Sequence, residues 1–152
     1  MARVLIIGCG CRGQQLAREL AGAGHAVRGT TRDPARFEAI AAAGAEPVRA
    51  DPDRVGTLVA ALAGVTVVVR LLAGVEDPEL HGPRLRALLE KLVDTPVRAY
   101  VHERVGEADE ALVREAAATW SIPVAVVASE PWPLAAMAPL TALLDSPQAQ
   151  KP

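Results

Sequence analysis

The chain has 152 residues, of which 51% are hydrophobic and 3% aromatic, and its formal net charge at pH 7 is −2. This length predicts one domain, residues 1–145, and a frayed tail at residues 146–152. The charge argues against a general nucleic-acid-binding protein, and no apolar run reaches the roughly 18 residues that span a membrane. We expect no secretory leader, because the N-terminus leads straight into a predicted strand. We therefore expect a cytoplasmic protein with no nucleic-acid or membrane partner.

The chain begins with the signals of a strand, a glycine turn, a helix and a second strand. Val4–Ile7 is a short apolar run typical of a buried strand, and it ends at a G-x-G-x-x-G turn. Leu16 and Leu20 then mark the apolar stripe of a helix, and Ala26–Gly29 follows as the second strand. The dinucleotide-binding fingerprint requires this context.

The glycine turn supplies the first candidate cofactor-binding residues. Gly8 allows a sharp turn, Gly10 allows a pyrophosphate to approach the backbone, and Gly13 allows the helix to pack against the strand. The N–H groups of the first helical turn would then face the anion. A turn that only packs a helix on a sheet is the alternative. The candidates are Gly8, Cys9, Gly10, Cys11, Arg12 and Gly13.

The same turn holds the only two cysteines, Cys9 and Cys11. They are too close together for an easy disulfide and too few for a metal site, so we expect no bound metal. We interpret them as small residues that fill the turn. The alternative is a redox or metal role, because helix N-termini favour low thiol pKa values.

Strand and helix signals alternate along the rest of the chain. Asp33-Pro34 and Asp51-Pro52 each place an N-cap residue before a proline that favours the first helical turn. The predicted helices run from Asp33 to Ala43, Asp51 to Ala63, Glu79 to Val93, Asp109 to Trp120 and Leu134 to Leu144, the last interrupted at Pro139. The further strands are predicted at Glu46–Ala50, Val65–Leu72, Val97–Val101 and Val124–Ala128.

This alternation predicts an α/β fold, a single doubly wound Rossmann domain with a six-stranded parallel sheet. Right-handed crossovers give the strand order 3-2-1-4-5-6. A ligand should bind at the carboxyl ends of strands one and four, where the winding of the sheet reverses.

The end of the second strand bears on the choice of cofactor. An acidic residue there binds the ribose of NAD, whereas an arginine accommodates the 2′-phosphate of NADP. Here Thr30 and Thr31 offer hydroxyl groups, Arg32 offers a charged fork, and Asp33 is expected to cap its helix. We therefore predict that the bound nicotinamide dinucleotide is NADP(H) in preference to NAD(H). A solvated surface arginine is the alternative for Arg32.

These residues resemble the atypical and extended short-chain dehydrogenase/reductase superfamily, and especially its NAD-dependent epimerase/dehydratase-like proteins. The similarity covers residues 3–74 and rests on the glycine turn and the Gly29–Arg32 strand end. It implies an NAD(P)-binding Rossmann fold. It also implies that Thr31 and Arg32 select NADP, that Asp51 meets the adenine amino group, and that Leu72 and Ala73 line the nicotinamide side.

The chain departs from that family where the family's catalytic residues lie. The resemblance implies a Ser or Thr after strand five and a Tyr-x-x-x-Lys on the next helix. The only tyrosine, Tyr100, instead falls inside strand five, and Arg104 stands four residues later. His102 and Glu103 stand in place of the serine pair. The family's C-terminal substrate lobe is also expected to be missing, which would make the chain a truncated relative.

Three residues outside the turn allow more than one interpretation. His102 is the candidate for proton transfer, although Glu103 beside it should point to the opposite face of the sheet, and a hydrogen-bonded or solvated loop histidine is the favoured alternative. Arg70 lies in an apolar strand, where a structural ion pair is favoured over a cofactor contact. Trp132, before Leu134–Met137, either packs within the chain or forms a homodimer contact.

Three functions remain open at this point. An intact phosphate turn without the catalytic set favours an NAD(P)-binding or sensing domain that passes its occupancy to a partner. The alternative is an NAD(P)-dependent oxidoreductase or epimerase-like enzyme whose proton donor is nonstandard or supplied by another subunit, since the nicotinamide itself carries the hydride. The third is a Rossmann domain that has lost its nucleotide and acts as an interaction module.

Overall fold

The computed structural model describes residues 2–145, and the tail predicted at 146–152 lies outside them. The strands are β1 (Arg3–Ile7), β2 (Ala26–Thr31), β3 (Ala45–Arg49), β4 (Val67–Arg70), β5 (Ala99–Glu103) and β6 (Val124–Val127). The helices are α1 (Cys11–Gly22), α2 (Phe37–Ala42), α3 (Val55–Ala61), α4 (Pro78–His81), α5 (Pro83–Leu92), α6 (Glu107–Trp120) and α7 (Leu134–Leu144). A 3₁₀ turn, Pro34–Arg36, leads into α2. Within residues 2–145, every helix is too short or too polar to cross a membrane.

All six strands pair in parallel, in the order β3-β2-β1-β4-β5-β6. The predicted α/β fold and strand order are therefore confirmed. Ile7 at the end of β1 lies beside Arg70 at the end of β4, and Arg70 lies beside His102 of β5. Because the winding reverses between β1 and β4, the crevice that takes ligands in such sheets opens at their carboxyl ends.

Helices cover both faces of the sheet, and each face has its own apolar core. Where α1, α2 and α7 pack, the first core includes Val4, Ile6, Leu16, Leu20, Ile40, Val69, Val101, Ala136 and Leu140. Where α3, α5 and α6 pack, the second core includes Leu5, Ile7, Leu58, Leu62, Val68, Leu85, Leu88, Tyr100 and Val113. Neighbouring residues of a strand enter different cores because successive side chains point to opposite faces. The same rule separates His102 from Glu103.

The turn after β3 differs from the prediction. Asp51-Pro52 does not begin a helix, and α3 starts at Val55. The Asp51 carboxylate accepts the N–H of Asp53 at 2.9 Å, and Thr57 Oγ1 accepts the N–H of Asp51 at 2.9 Å. These bonds hold a turn in front of α3, so the predicted helix start is wrong.

Two prolines also act differently from the prediction. The helix expected from Glu79 to Val93 divides at Gly82 into α4 and α5, because Pro83 has no N–H with which to continue the first segment. The interruption predicted at Pro139 is wrong, since α7 continues through it. The missing hydrogen bond there is offset by the burial of Leu140 in the first core.

A buried chain of hydrogen bonds joins β5 to α6. β5 ends two residues later than predicted, so His102 lies within the strand and is fully buried. Its Nε2 lies 2.7 Å from Asp109 Oδ2, and its Nδ1 lies 2.9 Å from the hydroxyl of Tyr100. Because a carboxylate only accepts hydrogen bonds, we assign the proton to Nε2, so that Tyr100 donates to Nδ1. His102 is thus hydrogen-bonded inside the second core rather than solvated.

Arg70 is buried on the same face of the sheet, at the end of β4. Its Nη2 donates to the carbonyl oxygen of Leu80 at 2.8 Å, at the end of the loop and helix that follow β4. Among the residues that the structure describes, Nη1 has no hydrogen-bond partner and no carboxylate lies within ion-pair distance of the guanidinium. The structural ion pair predicted for Arg70 is therefore wrong, because a backbone carbonyl takes the place of the carboxylate.

The buried chain fixes the charge states of its members. Burial lowers the pKa of His102 below the ordinary histidine value; the hydrogen bond to Asp109 opposes this, and the positive charge of Arg70 adds to it. Burial by itself would raise the pKa of Asp109, but hydrogen bonds from Val105 N–H, His102 and Gly106 N–H lower it overall. We therefore treat His102 as neutral and Asp109 as ionised at neutral pH.

We predict that His102 makes the fold less stable at mildly acidic pH. Its folded-state pKa is depressed, so the stability that it contributes is present above the unfolded-state pKa of about 6.5 and is lost as the pH falls below that value. Through this residue alone, the free energy of unfolding should fall by up to about 1.4 kcal/mol per pH unit. Urea unfolding of the wild type and of His102→Gln from neutral pH down to about pH 5 checks this.

His25→Gln is the matched control, because His25 is half-buried near the N-terminus and accepts the N–H of Ala2 outside this chain of hydrogen bonds. The control should keep the wild-type dependence of stability on pH, whereas His102→Gln should flatten it. An equal dependence in wild type and His102→Gln would contradict the assignment.

Candidate nucleotide-binding site

A crevice of about 500 Å³ opens at the carboxyl ends of β1, β2 and β4. Its volume falls in the range of small-molecule sites. Most of the residues predicted to bind a cofactor line it, namely Gly8, Cys9, Gly10, Cys11, Arg12, Gly13, Thr30, Thr31, Arg32 and Leu72. The lining also includes Asp33, Arg36, Ala50, Pro52, Leu71, Gly74 and Val75.

The glycine turn is tightly packed at its start and open in its middle. Gly8 has a φ of +84°, and a Cβ there would lie 2.6 Å from the carbonyl oxygen of Leu71. A Cβ on Gly13 would lie 3.2 Å from Ile6 Cγ2, so α1 packs directly on β1. A Cβ on Gly10 would meet only Arg36 Nη1, at 3.3 Å. The middle of the turn therefore leaves room for a ligand to reach the backbone.

The N-terminus of α1 points into this crevice. Gly10 is the N-cap residue, and among the described residues no side chain caps the helix. The first N–H groups of any helix lack partners within the helix, and the helix dipole adds positive potential there. The turn is held to β2 by Thr30, whose carbonyl accepts the N–H of Cys9 at 2.9 Å and whose Oγ1 accepts the N–H of Gly8 at 3.2 Å. The local geometry thus suits an anion.

The two cysteines of the turn differ in environment. Cys9 is buried, and burial raises the pKa of its thiol to about 11. A Cβ on Gly29 of β2 would lie 2.7 Å from Cys9 Sγ, so this sulfur fills the space between the turn and the sheet. Cys11 is exposed. Within the described part of the chain, no cluster of three or more His, Cys, Asp or Glu could hold a metal ion.

Two arginines flank the crevice where β2 ends. Arg32 follows the strand, and Arg36 is the last residue of the 3₁₀ turn, with its Nη1 near Gly10 of the glycine turn. Asp33 caps that turn as predicted, since its Oδ1 accepts the N–H of Ala35 at 3.0 Å. The hydroxyl of Thr31 accepts the N–H of Asp33 at 3.1 Å, so it supports the same turn. Arg36 was not among the sequence candidates, although its place four residues after Arg32 behind a helix N-cap is a usable signal.

Asp51 and Ala73 complete the predicted cofactor set but lie outside the lining of the crevice. The Asp51 carboxylate is occupied by the N–H of Asp53 at 2.9 Å, and both chain neighbours of Asp51 line the crevice. The N–H of Ala73 donates to Glu103 Oε1 at 3.0 Å. These contacts give each residue a structural role in the free protein.

Beyond β4 the crevice ends at a cluster that we call the barrier, which consists of Arg12, Glu103 and Trp132. Arg12 Nη2 forms an ion pair with the buried carboxylate of Glu103 and donates to the carbonyl of Ser129 at 3.2 Å. The guanidinium lies 4.3 Å from the centroid of the Trp132 ring, and the indole N–H donates to the carbonyl of Arg12 at 2.9 Å. Trp132 therefore packs within the chain, and the predicted homodimer contact stays a prediction.

The barrier could not be found from local sequence patterns. Its contacts join residues that are 91 and 120 positions apart in the chain. His102, the sequence candidate for proton transfer, lies on the opposite face of the sheet from Glu103. It is fully buried and bound to Asp109, so it does not reach the crevice. The structure thus brings the phosphate turn and the arginines together and keeps His102 apart from them.

Comparisons with known proteins agree with the fold. No curated protein matches the sequence. The solved structure of gox2253 has a TM-score of 0.68 at 20% identity, covering 84% of this chain and 51% of that one. Vestitone reductase from alfalfa (Medicago sativa) has a TM-score of 0.64 at 15% identity, with coverages of 83% and 56%. UDP-glucuronic acid 4-epimerase from Bacillus cereus in complex with NAD has a TM-score of 0.63 at 18% identity, with coverages of 82% and 54%.

The chain spans about half the length of these structures. At these identities the likeness establishes the fold alone, which is the doubly wound Rossmann fold expected from the sequence. A family model described as NAD(P)H-binding matches residues 8–118, which include the glycine turn, both arginines at the end of β2, and Glu103. With a doubly wound sheet and a family match over most of its length, the chain belongs to the NAD(P)H-binding family of Rossmann-fold proteins.

Proposed function

We propose that the protein is an NADP(H)-preferring binding domain that acts through cofactor occupancy rather than through the short-chain dehydrogenase catalytic set. The observation that carries this proposal is the glycine turn at the uncapped N-terminus of α1, with Arg32 and Arg36 beside it. The backbone N–H groups would hold the diphosphate, and the arginines would hold the 2′-phosphate of the adenosine ribose.

Charge supports the preference for NADP(H). The 2′-phosphate adds negative charge beside the end of β2, where two guanidinium groups face the crevice. Among the described residues that line the crevice, the acidic side chain is that of Asp33, whose Oδ1 accepts the N–H of Ala35 and so caps the turn at the end of β2.

The placement of proton donors supports binding without turnover. Tyr100, the only tyrosine of the chain, is fully buried and donates to His102. His102 is neutral and enclosed by the second core, so neither group has a path to a substrate in the crevice. A proton for hydride transfer would have to come from water, from the substrate or from another chain.

A nonstandard oxidoreductase is the second candidate. The structural neighbours include a vestitone reductase and an NADPH-dependent quinone oxidoreductase from Escherichia coli, the latter with a TM-score of 0.60 at 18% identity. A quinone needs little positioned acid chemistry, because hydride transfer from the cofactor leaves a weakly basic hydroquinone anion that takes its proton from water. This activity would use the same crevice and the same cofactor.

Thermal unfolding with NADPH, NADP⁺, NADH and NAD⁺ tests the binding proposal. A ligand that binds the folded state, at a concentration of 100 times its Kd, should stabilise that state by about 2.7 kcal/mol, and NADPH or NADP⁺ should give the largest rise in Tm.

Gly10→Ala should keep its Tm without ligand, because the backbone φ at this position is −81° and only a flexible arginine lies near the added methyl group. The variant should nevertheless lose the ligand-induced rise in Tm. Gly22→Ala, with nothing within 4 Å, is the control that keeps both. A Gly10→Ala protein that still responds to NADPH would contradict binding at this turn.

The choice of cofactor is tested by Arg32→Ala and Arg36→Ala. Charge-assisted hydrogen bonds contribute about 1.5–3 kcal/mol, so either variant should weaken NADPH binding by about 10-fold or more. NADH lacks the 2′-phosphate, and its affinity should change by less than about threefold. Isothermal titration calorimetry measures both, with Arg18→Ala on the exposed side of α1 as the control. Equal losses for NADPH and NADH would contradict a 2′-phosphate contact.

Turnover separates the two candidate functions. With aldehydes, ketones and quinones we expect no oxidation of NADPH above the rate without protein, because Tyr100 and His102 are enclosed. Absorbance at the NADPH band measures this. A rate that saturates with substrate and disappears in Gly10→Ala would establish the oxidoreductase and overturn the binding-only function.

A further inference from the structure

The crevice is open on one side of the point where the sheet reverses and closed on the other. Its lining includes Arg32, Arg36, the glycine turn with Arg12, and Gly74 and Val75 after β4, and among the described residues none from β5 or β6. Doubly wound sheets bind a dinucleotide across this reversal, with one half on each side. The side of β1, β2 and β3 offers space for the adenosine half, and the side of β4, β5 and β6 begins with the barrier.

Arg12 crosses the region that the second half of a dinucleotide would enter. Its backbone lies at the start of α1 next to β1, and its guanidinium reaches Glu103 at the end of β5. These strands lie two strand spacings apart, which is about 9.5 Å. The side chain therefore passes over the end of β4, where Ala73 also donates to Glu103 at 3.0 Å.

The barrier is held by several contacts at once. The Glu103 side chain has no exposed surface, so removing the guanidinium would leave its carboxylate buried with only one backbone donor. Ser129 O and the face of Trp132 hold the guanidinium from the other side, at 3.2 Å and 4.3 Å. The indole N–H holds the backbone of Arg12 itself at 2.9 Å. A nicotinamide ring would have to displace this whole set of contacts.

From this geometry, and on the basis of the proposed function, we propose that Arg12 determines the ligand class of the site. The protein binds the 2′-phosphorylated adenosine diphosphate portion of the cofactor and makes no binding contacts with the nicotinamide, which stays in water. Its ligands then include any molecule with that portion, whether or not it carries a nicotinamide. The oxidation state of the ring has little influence on affinity.

The direct test compares NADPH with 2′-phospho-ADP-ribose, which lacks the nicotinamide, by isothermal titration calorimetry on the full chain. The two dissociation constants should agree within about threefold, which at 25 °C is less than about 0.7 kcal/mol. The emission of bound NADPH should also stay like that of free NADPH, because its dihydronicotinamide remains in water. NADPH binding more than about tenfold tighter than the fragment, or a shifted emission, would overturn the proposal.

A double variant, Arg12→Met with Glu103→Gln, removes both charges while keeping most of the side-chain volume, so no carboxylate is left buried without its partner. It opens the space beyond β4 to the ring, and NADPH should then bind at least about tenfold tighter than the fragment. Arg18→Met on the exposed side of α1 is the matched control and should keep the two affinities equal. A folded double variant that binds both ligands equally would overturn the role of Arg12. If the double variant does not fold, the wild-type comparison and the emission still decide.

The outcomes also separate this inference from the proposed function. If neither NADPH nor the fragment binds the wild type, the proposed function fails and the role of Arg12 fails with it. If both bind and NADPH is much the tighter ligand, the proposed function stands and only the role of Arg12 fails.

Discussion

The close approach of Gly8 to β4 is the constraint on which the rest of the structure depends. A side chain at Gly8 would collide with the carbonyl oxygen of Leu71, 2.6 Å from its Cβ, and the backbone there has a φ of +84°. This contact joins the end of β1 to the end of β4, the two strands between which the sheet reverses. This close contact turns the chain from β1 into α1, so the first N–H groups of that helix face the crevice. The fold and the candidate site therefore share one local feature.

Positive charge is arranged on both sides of that turn, with different consequences. Arg36 is exposed, and its Nη1 lies 3.3 Å from the place that a Cβ on Gly10 would take, so its side chain can move to meet a phosphate. Arg12 is paired with a buried carboxylate and covered by an aromatic ring, so its position is fixed by the protein. The positive charge beside β2 therefore attracts a polyanionic ligand. Beside β5, the charge of Arg12 is already neutralised by its ion pair with Glu103. Under the proposed function, this asymmetry favours phosphate binding beside β2 without nicotinamide chemistry beside β5.

The sequence predicts the features that depend on local periodicity and capping. It does not predict the contacts between residues that are far apart in the chain. Alternating apolar runs predict the sheet order, and Asp33-Pro34 predicts the cap at the end of β2. The same Asp-Pro signal fails at Asp51, because Thr57 and the N–H of Asp53 hold a turn that propensity alone does not show. The ion pair of Arg12 with Glu103 joins positions 91 residues apart, so only the folded chain reveals it.

A crystal structure of the full chain grown with NADPH would show directly whether the glycine turn binds the cofactor. We expect density for a diphosphate on the N–H groups between Gly10 and Gly13, and for a 2′-phosphate between Arg32 and Arg36. A glycine turn without cofactor density at saturating NADPH, or density for the cofactor elsewhere on the surface, would contradict binding at this turn.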